Sequence, residues 1–144
     1  MLLKRTEKEN IIECIYNSSN ILSSKYDKQS KNLTIVFKRG AQYIYENVSQ
    51  SDYLRFEIAD SQGVVLNERI KQYPFIKGDL VDAKVIEEEI DKLKEEEIRK
   101  EQEILVNEIE RLARDFDEHG SINMNMLISL HERIVRYLNP ETNE

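Results

Sequence analysis

Residues 32–46 constrain the fold of this chain more than any other stretch. They read Asn32-Leu33-Thr34-Ile35-Val36-Phe37, then Lys38-Arg39-Gly40, then Gln42-Tyr43-Ile44-Tyr45-Glu46. Leu33, Ile35 and Phe37 alternate with Thr34, Val36 and Lys38, which points one side of a strand at a core. Gly40 offers a positive φ between this run and the next. Two β-branched and aromatic runs around a glycine turn predict an antiparallel hairpin. Tyr43 and Tyr45 then share one face of the second strand, with Ile44 on the other.

Charge divides the chain. Residues 1–80 hold 12 Lys and Arg against 10 Asp and Glu, whereas residues 81–144 hold 9 against 18, within an overall net charge of −7. A near-neutral module followed by an acidic segment is expected. The single cysteine, Cys14, excludes an internal disulfide framework and a cysteine-based zinc site. Flanked by Ile11, Ile12 and Ile15 and with no histidine beside it, it reads as a buried thiol rather than a nucleophile. The run Met1-Leu2-Leu3-Lys4-Arg5 is too short for a secretory core, and no apolar run approaches the roughly 20 residues of a membrane helix. A cytoplasmic protein that does not enter membranes is the expectation.

Residues 1–10 are polar and charged, and fraying is expected there. Residues 11–16 could form strand or helix, with β-branching favouring strand, and residues 21–26 read as a strand after the turn 17–20. Ser49 to Asp52 offer N-cap oxygens for a short helix over 53–59, and Asp60 or Ser61 for a second carrying Val64, Val65, Leu66 and Ile70. Tyr73-Pro74-Phe75 closes the module. From about 82 to 118 there is neither Gly nor Pro, and a continuous helix of that span would be about 55 Å long. Its apolar stripes are Ile86, Ile90, Leu93 and then Leu105, Ile109, Leu112, Phe116. His119-Gly120 stops it, and Leu127, Leu130, Ile134 and Leu138 mark a second helix folding back on residues 105–116. The stretch 94–103, with one large aliphatic, Ile98, stays beyond the reach of the shorter partner.

The elements Ser18-Ser19-Asn20-Ile21, Tyr26-Asp27, Phe37-Lys38-Arg39-Gly40, Tyr43-Ile44-Tyr45, Ser61-Gln62-Gly63, Asn67-Glu68-Arg69-Ile70 and Tyr73-Pro74-Phe75, in this order and spacing, resemble the KTSC domain. That small domain is named for its occurrence at the C-terminus of some lysyl-tRNA synthetases, and it also stands alone in bacterial and phage proteins. The resemblance covers about residues 16–76. Where the family often carries a Pro after the Y-x-Y strand, this chain has Val48-Ser49. The resemblance implies no catalytic residues. Its synthetase association implies RNA binding by analogy only, and it says nothing about residues 82–144.

Two functional readings follow. Tyr43 and Tyr45 could stack nucleobases, with Lys38, Arg39, Arg69 and Lys71 on phosphates. Against this, so short a sheet needs cover on one face, which favours both rings packing under the helix at 53–59. Asn67 and Arg69 are expected to hold the terminal loop through bonds to backbone. Glu87 to Glu89 and Glu95 to Glu97 diverge around a helix and read as a solvated face rather than a metal cage. Their sharper reading is an acidic surface for a basic partner, or a mimic of nucleic acid. His119 and His131 are too separated to bind a metal together.

The expected architecture is therefore α+β. A small antiparallel sheet with short helices (11–76) precedes an acidic helical hairpin, coiled-coil-like (82–138). The expected function is a non-catalytic adaptor or inhibitor-type interaction protein, without cofactor or metal. Its partner, a protein that is basic or handles nucleic acid, would meet the module and the helix around Glu95, Glu96, Ile98 and Arg99, or a second copy would pair along the long helix. The alternative is an RNA or single-stranded nucleic-acid binding accessory protein.

Overall fold

The computed structural model describes residues 1–139, in two compact units, 1–94 and from Glu95 onward. The first unit is a six-stranded antiparallel meander. Its strands are β1 (Leu2–Lys8), β2 (Ile11–Tyr16), β3 (Ile21–Asp27), β4 (Leu33–Phe37), β5 (Gln42–Tyr45) and β6 (Phe75–Lys77). Between β5 and β6 lie α1 (Gln50–Glu57) and α2 (Gln62–Val65), which runs on into a π turn, Leu66–Ile70. The hairpin read from residues 32–46 is present, with Ile35 opposite Tyr43 and Leu33 opposite Tyr45.

Residues 1–10 do not fray. Seven of them form β1, paired with β2 from Leu2 opposite Tyr16 to Lys8 opposite Ile11. The chain turns on Glu9, whose φ is +57°. Charge hides this strand from a hydrophobic pattern, as suits an exposed edge. Arg5 and Lys28 both hold Glu7, and Lys4 reaches Glu89 at 2.8 Å.

One face of the sheet is closed by α1 and α2. Ile12, Cys14, Tyr16, Ile21, Tyr26, Leu33, Ile35 and Tyr45 pack there against Val48, Tyr53, Phe56, Leu66 and Ile70. The Tyr53 ring stacks on Tyr26 with centroids 4.1 Å apart, and Phe56 meets Tyr16 edge-on at 5.5 Å. Buried phenols need partners. Tyr26 donates to the Val48 carbonyl at 2.8 Å, and the Tyr16 and Ser24 hydroxyls are hydrogen-bonded to each other at 2.7 Å. Ser49 caps α1 by accepting from the Asp52 amide. The π turn widens the helix, with the Lys71 amide bonded to the Leu66 carbonyl, so Leu66 and Ile70 both face the core.

The opposite face is covered at one end. α3 (Ala83–His119) begins beside the Asp82 carboxylate, which accepts from the Lys84 amide, and it lays Ile86 and Ile90 over Leu22 and Val36. The first unit therefore runs to Lys94, past the module boundary near 76 read from the sequence. A trough of about 360 Å³ remains, lined by Lys4, Thr6, Glu13, Lys25, Thr34 and Gln42 among others.

The second unit is a helical hairpin. α4 (Met124–Leu138), capped by the Asn123 side chain, returns along α3 and buries Leu130 between Leu105 and Leu112. Gly120 makes the turn possible with φ +66°.

Gly40 is a point of close approach as well as a turn. Its φ is +86°, and an added Cβ would lie 2.1 Å from the Val81 carbonyl oxygen. Gly63, in α2, would meet only Ser61 Oγ at 3.9 Å. Gly40→Ala is expected to lower stability by about 2–3 kcal/mol, and Gly63→Ala to raise it by about 0.5–1 kcal/mol. Urea titration followed by tyrosine emission checks both. A second expectation concerns acid. The Tyr73 hydroxyl and then the Arg69 guanidinium hold the Asp52 carboxyl below its ordinary range. A depressed carboxyl pKa contributes stability at neutral pH that is lost as pH falls through it. Asp52→Asn should cost about 1–2 kcal/mol at pH 7, and the gap to wild type should close as the pH falls below the unfolded-state value near 4.

Candidate recognition surfaces

Tyr43 and Tyr45 share the face that α1 and α2 cover, because Tyr45 sits opposite Leu33 and Tyr43 opposite Ile35. Their fates differ with distance from the helices. Tyr45 is 5% exposed and belongs to the core. Tyr43 is half-buried, in edge-on contact with Phe37 at 5.5 Å and Phe75 at 5.6 Å. The strongly exposed ring is Phe75, 57% exposed, a residue the sequence presented only as the close of the module. It lies opposite Tyr45 on β6, and Lys77 lies opposite Tyr43. A Pro-Phe dipeptide ahead of one further apolar residue is too short a run to announce a strand. Only the backbone bonds from Glu46 to Pro74 and from Gly78 to Gln42 bracket it.

The cations read from the sequence separate into two kinds. Lys38, Arg39 and Lys71 are exposed, and none of them is ion-paired among the described residues; Lys77 joins them. Arg39 sits at φ +73° in the turn beside Phe37. Arg69 instead pairs with Asp52 at 3.4 Å, and Asp52 also accepts from the Tyr73 hydroxyl. Arg69 thus holds the terminal loop, through a carboxylate rather than the backbone bonds expected of it.

Among the described residues β6 ends the sheet. Ile76 points to the face opposite Phe75 and is 54% exposed. This edge therefore offers apolar side chains on both faces, whereas the β1 edge at the other end offers charge.

A buried polar group underlies the core. Glu57 accepts from Arg5 Nε at 2.7 Å, from the Tyr53 hydroxyl at 3.1 Å and from Cys14 Sγ at 3.4 Å. Burial pushes the Cys14 thiol and the Tyr53 phenol up, and the Glu57 and Glu7 carboxylates raise Arg5 further. A thiol held protonated is a poor nucleophile, so the arrangement ties β1 and β2 to α1. Among the described residues no cluster of His, Cys, Asp or Glu has the geometry of a metal site, and no helix is long and apolar enough to cross a membrane.

In the second unit Glu95, Glu96, Ile98 and Arg99 are all exposed. They begin a solvated stretch that reaches Ile104.

Comparison with known proteins bears on part of the chain. No curated protein is similar to the chain. Among solved structures, the crystal structure of KTSC domain protein YPO2434 from Yersinia pestis shares 27% identity, with 53% of this chain and 97% of that one aligned at a TM-score of 0.44. The KTSC domain model matches residues 17–75, which run from the turn before β3 to the first residue of β6. Residues 17–75 of this chain match the KTSC domain, within a sheet that β1 and β2 complete.

Proposed function

We propose that this is a non-catalytic recognition protein whose KTSC domain takes an extended protein segment along its β6 edge. One observation carries the reading: the terminal strand shows Phe75 and Ile76 on opposite faces, each more than half exposed. A strand added to β6 would find main-chain donors and acceptors and would cover both side chains. Stacked bases would use Phe75 alone. Pro74 and Gly78 bound the strand, so the docked segment is short, and β-branched or aromatic residues would suit it. The acidic stretch from Glu95 fits an adaptor or inhibitor whose partner also carries a basic region.

A second reading has a specific observation in its favour. Phe75 and Tyr43 lie beside Lys77, and Lys38, Arg39 and Lys71 make no ion pair among the described residues, which is the aromatic and cationic composition of single-stranded nucleic-acid binders. Phe75 would take the stacking role read for Tyr45, and Arg69 would stay with Asp52.

Selection of random displayed peptides on the full chain, followed by anisotropy on the enriched sequences, tests both. The first reading expects extended binders whose affinity falls at least about tenfold in Phe75→Ala and in Ile76→Lys, with little salt dependence. No enriched peptide, together with oligothymidine binding that weakens steeply with salt and is lost in Phe75→Ala but kept in Ile76→Lys, would replace it by the second.

A further inference from the structure

The helical hairpin carries twice the apolar pattern that it buries. On α3 the buried stripe is Leu105 and Leu112, and beside it run Val106, Ile109, Ala113 and Phe116, all exposed, at alternating spacings of three and four. On α4 the buried residue is Leu130, flanked by Met126, Ile134 and Tyr137. A second stripe, Met124, Ile128, His131, Val135 and Leu138, repeats at the same spacings and is exposed throughout. Each open stripe is a step forward around its helix from the closed one. Because α3 and α4 run antiparallel, that step turns both open stripes to the same side of the pair. The other side is marked by the Glu108–Arg133 ion pair with Arg111 and Ser129, and it is polar. The hairpin thus has one polar groove and one apolar face.

We infer that the apolar face is an interface with a second copy of this chain, closing a four-helix bundle in which α3 lies against the partner's α4. The area supports it. The seven larger apolar side chains of the two stripes are 42–68% exposed, together on the order of 700 Å² of accessible surface per copy. That is the share each subunit contributes to an ordinary specific complex. Charge selects the occupant and the pairing. Residues 102–119 hold six Asp and Glu against two Arg, whereas residues 124–138 hold one Glu against two Arg. α3 against α3 would set Glu103, Glu110 and Asp117 against their own copies. α3 against the partner's α4 sets them against a helix that is not acidic, and every neighbouring helix pair is then antiparallel. Three buried leucines are a small core for two helices, and a twofold bundle enlarges it without any other chain. This inference is independent of the β6 reading.

Sedimentation equilibrium of the full chain tests it. The expected mass is twice 17.1 kDa. Ile109→Glu with Val135→Glu should raise the dimer dissociation constant by about 100-fold or more, and Arg111→Glu with Ser129→Glu, in the polar groove, should leave it unchanged. Since glutamates could also unfold the hairpin, a second measurement stands apart from them. Ala113→Cys protein mixed with Ile128→Cys protein and oxidised should give mainly the mixed cross-linked dimer. A monomeric wild type at high micromolar concentration would overturn the proposal. So would a dimer indifferent to Ile109→Glu with Val135→Glu, or cross-linking confined to Ala113→Cys homodimers.

Discussion

The stack of Tyr53 on Tyr26 is the contact on which the first unit depends. A short helix such as α1 has too little internal hydrogen bonding to hold itself. Its position comes from what it buries, and Tyr53 is fully buried against the middle of the sheet. The same side chain spends its hydroxyl on Glu57 one turn later, and Glu57 takes Arg5 from the edge strand. One aromatic ring and one carboxylate thereby link the edge strand, the helix and the central strands. Removing the ring would leave both a cavity and a charged group short of a partner, which are separate costs.

This arrangement explains the unequal treatment of the two sheet edges. β1 is pinned at its middle by Arg5 and at its end by Glu7, so its outward side chains are charges already committed to ion pairs. Such an edge resists pairing with strangers. β6 is held by β5 and by the bonds at its two ends, and two of its three side chains are apolar. The aromatic line Phe37, Tyr43, Phe75 continues the core outward past the point where helices stop covering it. In the hairpin of the second unit the imbalance is between the two sides of a helix pair rather than the two ends of a sheet.

What could be read in advance follows from where burial is one-sided. Leu33 and Ile35 in β4, and Tyr43 and Tyr45 in β5, recur at the two-residue spacing of a strand face covered by helices, although Val36 on the other face is buried under α3. The hairpin helices were visible through Leu105, Leu112 and Leu130, at spacings that only a helix makes contiguous. β1 escaped because its residues answer to charge pairing across strands, which leaves no apolar period; the Glu9-Asn10 pair before Ile11 was its one signal. The difference between Tyr43 and Tyr45 was also beyond reach. Both face the same way, and only the lateral extent of α1 and α2 decides that one is interior and the other half-open. Arg69 could have been matched to Asp52 only with the π turn in hand, since an ordinary helix aims that side chain elsewhere.

Cys14 is the chain's one thiol, closed in beneath α1 and held in its neutral form by its surroundings. Maleimides and disulfide reagents act on exposed thiolates, so the folded protein is nearly silent to them. A probe introduced at any outer position would report from that position alone, and slow reaction at Cys14 would register only molecules whose α1 had lifted from the sheet.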